Sequence, residues 1–381
     1  MGIISSCVKC SICSDEYRIR FNVGNKYPQT AAFACDKCGE TLTFGLDANE
    51  RFVLTNLIQI DESRGIKVIN LHPELPIDAA SKNDPYYFPS MDFMMKQDKV
   101  SIEGMPMYRK AQLSCISYQN NWDAIETDFR YLVEQRWNLL KEKYGSDNIK
   151  TEKKILKTVF NIGRIFLEGP WYTIYRDVLS EAEKAKRHAE SLKLKTFLSE
   201  FKDEFLLDKM YAIMLQYRKI EAELLPTLLD QKCGTKPTGL SSSINWGNIE
   251  MFYGNVYEIF GDLLIIPAVV NNAVVRNNFE HFATDGYTLQ KHLETDKAGR
   301  CKNFIGNDQL IALSEFYDAG IRNGTFHKAS KFDKEKQEIT LKTGKGGKTE
   351  RVISLITYIE NCNELYARCL ILFNIYYKMI N

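Results

Sequence analysis

The sequence predicts a mainly α protein that opens with a small all-β module. Three observations carry this. Two Cys-x2-Cys pairs lie before residue 40 and are joined by stretches that alternate apolar and polar residues. From Met107 onward apolar residues recur at helical spacing almost to the C-terminus. Between the two regions Pro73, Pro76, Pro85, Pro89 and Pro106 crowd half of the chain's 10 prolines into one short connector. The expected division is 1–72 for the β module, 73–106 for the connector, 107–203 for a helical middle region and 204–381 for a helical C-terminal domain.

A chain of 381 residues with 44% hydrophobic content is long enough for several domains and a sizeable core. With 50 basic and 49 acidic residues the formal net charge is +1. No global field draws such a protein to nucleic acid, so any RNA contact must rest on a local basic patch. The N-terminus has no apolar stretch of signal-peptide length, and the apolar runs 263–270 and 370–377 fall short of the ~18 residues of a membrane span. No membrane association is expected. Of the 10 cysteines, five lie before residue 40 and the rest are scattered. That is metal-site clustering in a reducing compartment, and it points to the cytoplasm.

In the N-terminal module Cys10-x2-Cys13 and Cys35-x2-Cys38 each place two thiolates on a tight turn. Residues 17–23, 29–34 and 41–44 read as strands between and after them. The arrangement resembles a zinc ribbon. Four cysteines imply a closed, structural zinc site, because a catalytic zinc keeps one position open. Cys7 also forms a Cys-x2-Cys with Cys10, so Cys7 in place of Cys13 stays an alternative. Residues 52–60 and 66–71 read as two further strands extending the same sheet. His72, at the edge of the proline-rich connector, reads as a packing or surface residue rather than a fifth ligand. Basic and acidic residues are balanced around the module, so it is as well suited to holding a domain together as to gripping a partner.

The helical region begins with Trp122, Ile125, Phe129, Leu132, Val133 and Leu140 on one face of a long helix, stopped by Gly145, Ser146 and Asp147. Residues 153–167 form a second helix ended by Gly169-Pro170, and 171–203 continue in helix with a charged middle. That middle interleaves Lys184, Lys186, Arg187, His188, Lys193 and Lys195 with acidic residues, and a solvated face explains it. Met210, Ile213, Met214, Tyr217, Leu224 and Leu228 mark the next helix. After a loop at 231–243 a helix is expected from Asn245 through residue 281, kinked at Pro267.

The chemistry concentrates at Arg322-Asn323-x-x-x-His327. It is expected to follow a short helix marked by Leu310, Leu313, Tyr317 and Ile321, and to precede a charged hairpin and a last helix that begins near Val352. Arginine offers a fixed fork of donors for phosphate oxygens, and histidine takes and gives a proton near neutrality. Arg276 to His281 repeats the pattern, but inside a continuing helix, which favours the Arg322 copy. The glycine-rich turn Gly344-Lys345-Gly346-Gly347-Lys348-Thr349 fails as a phosphate loop, since Lys342 stands where the motif needs glycine.

The Arg-Asn-x-x-x-His element with the hairpin and helix that follow it resembles the R-x4-6-H motif of the HEPN superfamily, from about Phe205 to the end. The resemblance implies a HEPN-like helical bundle that forms a homodimer and cleaves RNA without a metal, as bacterial toxins and antiviral defence effectors do. On that reading Arg322, Asn323 and His327 are the catalytic residues, the substrate is RNA, and a protein partner or inhibitor is expected. The alternative is a non-catalytic zinc-ribbon and helical adaptor.

Overall fold

A computed structural model describes residues 2–24, 28–61, 67–73, 75, 77, 79–92, 95, 101–102, 105–145, 147–188, 190–237, 239, 245–284, 286–326, 330–334, 336–343 and 348–381. The protein is mainly helical, with 58% of the chain in helix and 17% in strand, so the expected fold class holds at that level. The chain forms two compact units, and each is built from separated segments. One comprises Met1–Lys110, Ile220–Met251 and Asn323–Glu360; the other comprises Ala111–Lys219, Phe252–Arg322 and Asn361–Asn381.

In the first unit the N-terminal strands form two sheets rather than one. The strands are β1 (Ile3–Cys10), β2 (Glu16–Asn22), β3 (Gln29–Ala34), β4 (Thr41–Leu46), β5 (Phe52–Thr55), β6 (Leu57–Gln59) and β7 (Lys67–Leu71). One sheet has the order β6-β1-β2-β7 and the other β3-β4-β5. β1 is the strand that sequence reading passed over. Its Ser6, Cys7 and Val8 are buried in a row, so it lacks the one-sided alternation that marks a half-exposed strand. The 52–60 run, expected as one strand, breaks at Asn56, whose φ of +56° turns the chain from one sheet into the other. β7 returns parallel to β2 and pairs Ile19 with Ile69. The two sheets share a core of Val8, Tyr17, Phe21, Phe33, Leu42 and Phe44. Tyr17 meets Phe33 edge-on with ring centroids 5.3 Å apart, and Phe21 meets Phe44 at 5.6 Å.

The connector contributes a 3-10 turn at Ala79–Ser81 and the two-residue strands β8 (Ser101–Ile102) and β9 (Met105–Pro106). A third sheet, β10 (Ser330–Asp333), β11 (Glu338–Thr343) and β12 (Thr349–Ser354), is an antiparallel meander in the same unit. Val352, expected on the last helix, lies instead in the edge strand β12. A β-branched residue with exposed neighbours suits a sheet edge as well as a helix start.

The helices are α1 (Met107–Val133), α2 (Trp137–Tyr144), α3 (Asn148–Phe166), α4 (Trp171–Lys186), α5 (Ser191–Ser199), α6 (Met210–Lys232), α7 (Trp246–Leu263), α8 (Ile265–Arg276), α9 (Leu289–Glu294), α10 (Ala319–Phe326) and α11 (Leu355–Ile380). The long helix expected up to residue 145 is two helices, parted where Gln135 takes φ +55°. Asp147 caps α3, its side chain accepting from Lys150 N at 2.9 Å. A π-helical turn, Asp203–Lys209, leads into α6. In the second unit an aromatic core is centred on Tyr217 and Tyr366, stacked at 4.1 Å, with Phe166 edge-on to both. Tyr118 and Tyr366 satisfy one another's hydroxyls at 2.6 Å. The stretch Trp246–Arg276, which contains the short run 263–270, is 31 residues long with a mean hydropathy of 1.6 over an 18-residue window, long and apolar enough by that measure to cross a membrane. That window is 67% buried, as in the core helix of a folded domain.

Candidate metal centre and the Arg322 motif

Cys10 ends β1 and Cys13 precedes β2; Cys35 follows β3 and Cys38 precedes β4. Each pair therefore sits on the hairpin turn of a different sheet. The two turns are built alike. Ser14 N donates to Cys10 O at 3.0 Å and Gly39 N to Cys35 O at 2.8 Å. Cys10 N donates to Asp15 O at 2.9 Å and Cys35 N to Glu40 O at 2.8 Å. The residue after each second cysteine takes a left-handed conformation, Ser14 at φ +61° and Gly39 at φ +70°.

These turns bring the four sulfurs within 4.8 Å of one another. Cys10 Sγ lies 3.8 Å from Cys38 Sγ, and Cys13 Sγ 3.4 Å from Cys35 Sγ. Sulfurs at the corners of a tetrahedron with metal–sulfur bonds of about 2.3 Å are about 3.8 Å apart. The donor set thus fits a four-coordinate, closed metal site. Cys7 is outside the cluster. It lies three residues before Cys10 in the same extended strand, and an odd offset sends the two side chains to opposite faces.

The thiols of the cluster are not tuned alike. The Glu40 N–H favours the Cys38 thiolate, but burial and the neighbouring sulfurs outweigh it and push that thiol up to about 12. Cys13 is raised in the same way against the Asp15 N–H, and Cys35 is the one brought down. Burial pushes the Cys35 thiol up. The Tyr17 hydroxyl and the backbone N–H groups of Cys38 and Lys37 outweigh it and bring the thiol down to about 6. Tyr17 is fully buried, and its Oη lies 3.3 Å from Cys35 Sγ, 2.6 Å from Asp15 Oδ2 and 2.9 Å from Asp36 N. Lys67 Nζ stands 2.9 Å from Asp15 Oδ2, tying β7 to the same corner. Tyr17, Asp15 and Lys67 carry no motif, and only the fold identifies them as supports of the ligand set. His72 is not among the ligands; it is buried and its Nδ1 accepts from Leu75 N at 3.0 Å.

Arg322 and Asn323 lie within α10, not after a helix as expected. The stretch around Leu310 and Leu313 is only a 3-10 turn, Ile311–Leu313, and Phe316 at φ +62° separates it from α10. His327, Lys328 and Ala329 lie outside the described residues, as do residues 344–347 of the glycine-rich turn. Arg322 Nε and Nη2 both donate to Glu258 Oε1, at 3.0 and 2.8 Å. Glu258 Oε2 pairs with Lys297 Nζ at 3.0 Å, and Lys297 with Asp262 Oδ1 at 2.9 Å. Asp262 also meets Lys209 at 2.7 Å, while Arg300 Nη1 donates to Gly261 O at 2.9 Å. Burial pushes both carboxyls up, but Lys297 and Arg322 at Glu258, and Lys209 and Lys297 at Asp262, hold them below the ordinary carboxylate range. The Arg322 side chain is 30% exposed.

Sequence reading missed Glu258, Asp262, Lys209 and Lys297. The available signal was Glu258 and Asp262 one turn apart in a mostly apolar helix whose one other carboxylate is Glu250. The second Arg-Asn-x-x-x-His copy does not sit in a continuing helix. α8 ends at Arg276, and Asn277 takes a left-handed cap at φ +54°, so Arg276 and His281 do not share a helical face. Asn277 Oδ1 lies 2.7 Å from His188 Nδ1.

Comparison with protein-family models, curated proteins and solved structures finds no match to this chain.

Proposed function

We propose that the protein is a metal-independent, HEPN-like endoribonuclease whose N-terminal cysteine cluster holds a structural zinc ion. The observation that carries the reading is the Arg322 guanidinium, fixed by Glu258 yet partly open to solvent on a helix whose next residue in sequence is His327. In the proposed reaction His327 takes the proton of a ribose 2′-hydroxyl. The 2′-oxygen then bonds to phosphorus and the P–O5′ bond breaks. Arg322 offsets charge on the non-bridging oxygens, and Asn323 orients the phosphate. A protonated imidazole returns a proton to the departing 5′-oxygen. A homodimer supplies the second histidine, in keeping with the resemblance. Cytoplasmic RNA is the substrate, and the role is that of a toxin or antiviral defence effector under control of a protein partner.

The test is cleavage of a defined RNA by the purified protein, with end-group analysis. Expected are 2′,3′-cyclic phosphate ends, activity that survives EDTA, and loss of cutting in Arg322→Ala and His327→Ala. A free 3′-hydroxyl, or an unimpaired double variant, sinks the proposal.

A second reading is a non-catalytic adaptor. It is favoured by the same ion pair, because donors committed to Glu258 are withdrawn from a phosphate. Expression in cells separates the two: toxicity relieved by Arg322→Ala belongs to the nuclease alone.

A further inference from the structure

We propose that the outward face of α3 is a backbone-binding surface for single-stranded RNA. Its apolar side, Ile155, Leu156, Val159, Phe160, Ile162 and Phe166, is buried. The opposite side exposes Lys150, Lys153, Lys157, Asn161 and Arg164. Their spacing of three or four residues places them on one stripe. At about 1.5 Å of rise per residue the stripe from Lys150 to Arg164 is about 21 Å long.

The charge on this helix is lopsided. α3 carries five cations, the fifth being Lys154, against the single carboxylate of Glu152. In a chain of net charge +1 this is a local concentration rather than a share of a general field. Glu152 is ion-paired with Lys202, and Lys154 lies over the Tyr144 ring with its Nζ 5.0 Å from the centroid. Among the described residues Lys150 pairs only with Asp147, and the two side chains are 86% and 46% exposed, so water screens the pair. Lys153, Lys157 and Arg164 have no carboxylate partner among the described residues.

A row of cations of which three have no carboxylate partner among the described residues is complementary to an evenly charged polymer. A membrane-surface helix would turn its apolar face outward, and here that face is buried. A protein-docking face would offer several aromatic or aliphatic anchors among the charges, and this stripe has one, Ile149, 80% exposed at its N-terminal end. Phosphates need only charge at intervals, and their capture releases counterions. The choice of RNA over other polyanions rests on the proposed ribonuclease reading.

The test is binding of a fluorescein-labelled single-stranded RNA, read by anisotropy over a range of salt. Full-length Arg322→Ala is the background, so that binding is measured without cutting. Expected is tight binding in that background, and a large loss when Lys153→Gln, Lys157→Gln and Arg164→Gln are added. Three lost phosphate contacts lower the slope of log K against log salt by about 2 and the affinity on the order of a hundredfold at low salt. Gln keeps the helix propensity, so circular dichroism and the melting temperature should stay those of the background. A control changes Arg187, Lys193 and Lys195 to Gln and should leave the slope within error. Equal affinity and slope in the α3 variant would overturn the proposal. So would an equal loss in the control, or α3-dependent binding to phosphatidylserine vesicles without binding to RNA. The ribonuclease reading fails separately, if Arg322→Ala still cuts.

Discussion

Arg322 places two donors, Nε and Nη2, on the single oxygen Oε1 of Glu258, 64 positions earlier in the chain. The other oxygen of Glu258 is occupied by Lys297. The carboxylate therefore fixes both the position and the rotation of the guanidinium plane. Glu258 is a positioning residue for Arg322 in the proposed reaction. In Glu258→Gln the fold should persist, with a stability change of about 1 kcal/mol or less, since the pair is partly exposed. Cleavage should fall about tenfold to a hundredfold in kcat with KM nearly unchanged, as expected for a displaced group. Steady-state kinetics on the defined RNA check this, and a variant with the parent's kcat removes Glu258 from the role.

Gly261 lies on α7 between Glu258 and Asp262. A Cβ there would stand 2.5 Å from Tyr317 Oη and 2.7 Å from Lys297 Cβ. Alanine normally gains about 1 kcal/mol over glycine inside a helix. Here Gly261→Ala should instead destabilise by about 1–3 kcal/mol through overpacking. Urea denaturation measures the sign, and a stabilised variant would contradict the close approach.

Two buried histidines predict acid sensitivity well above the carboxylate range. Burial brings His292 and His72 each down to about 4. The unfolded chain takes up a proton near pH 6.5, while the folded protein holds both rings neutral. Their contribution is therefore complete above pH 6.5 and is lost as pH falls from there to about 4. For fully buried His292 the loss is about 3 kcal/mol. Melting temperatures should fall steadily over this window in the parent and fall less in His292→Phe. A parent curve flat from pH 7 to 4.5 would refute it. Below about pH 4 protonation of Glu258 and Asp262 should add a further loss, because both are held low by their cations.

The cysteine cluster predicts one zinc per chain. Cys13→Ser and Cys38→Ser should each lose the metal and lower the melting temperature, while Cys7→Ser should bind one equivalent like the parent. Metal content by mass spectrometry decides between the sets. Retention of zinc in Cys13→Ser with loss in Cys7→Ser would reverse the assignment. Removing zinc by chelation should loosen the N-terminal sheets first, since the two turns that carry the ligands belong to different sheets.

Much of the architecture was legible locally. The spacing of Cys10, Cys13, Cys35 and Cys38 announced a metal site, and the 3.6-residue period announced most helices. Breaks were legible only in part. Asn56, Gln135, Asn277 and Phe316 each take positive φ and divide what periodicity alone reads as one element. None is glycine or proline, and the weaker left-handed preference of asparagine at positions 56 and 277 was the one local mark.

By itself the sequence determined the mainly helical class with its β module and narrowed a candidate metal cluster to Cys10, Cys35, Cys38 and either Cys13 or Cys7, because each depends on spacing along a few turns of chain. Only the tertiary structure decided that Cys7 faces away from the cluster, that the β module is two sheets, and that Glu258 holds Arg322. It also decided that each compact unit gathers three separated stretches of chain. The physical reason is the same throughout. Periodicity fixes which face of an element is apolar, but the partner of that face is selected by packing among residues far apart in sequence, where no local pattern records the choice.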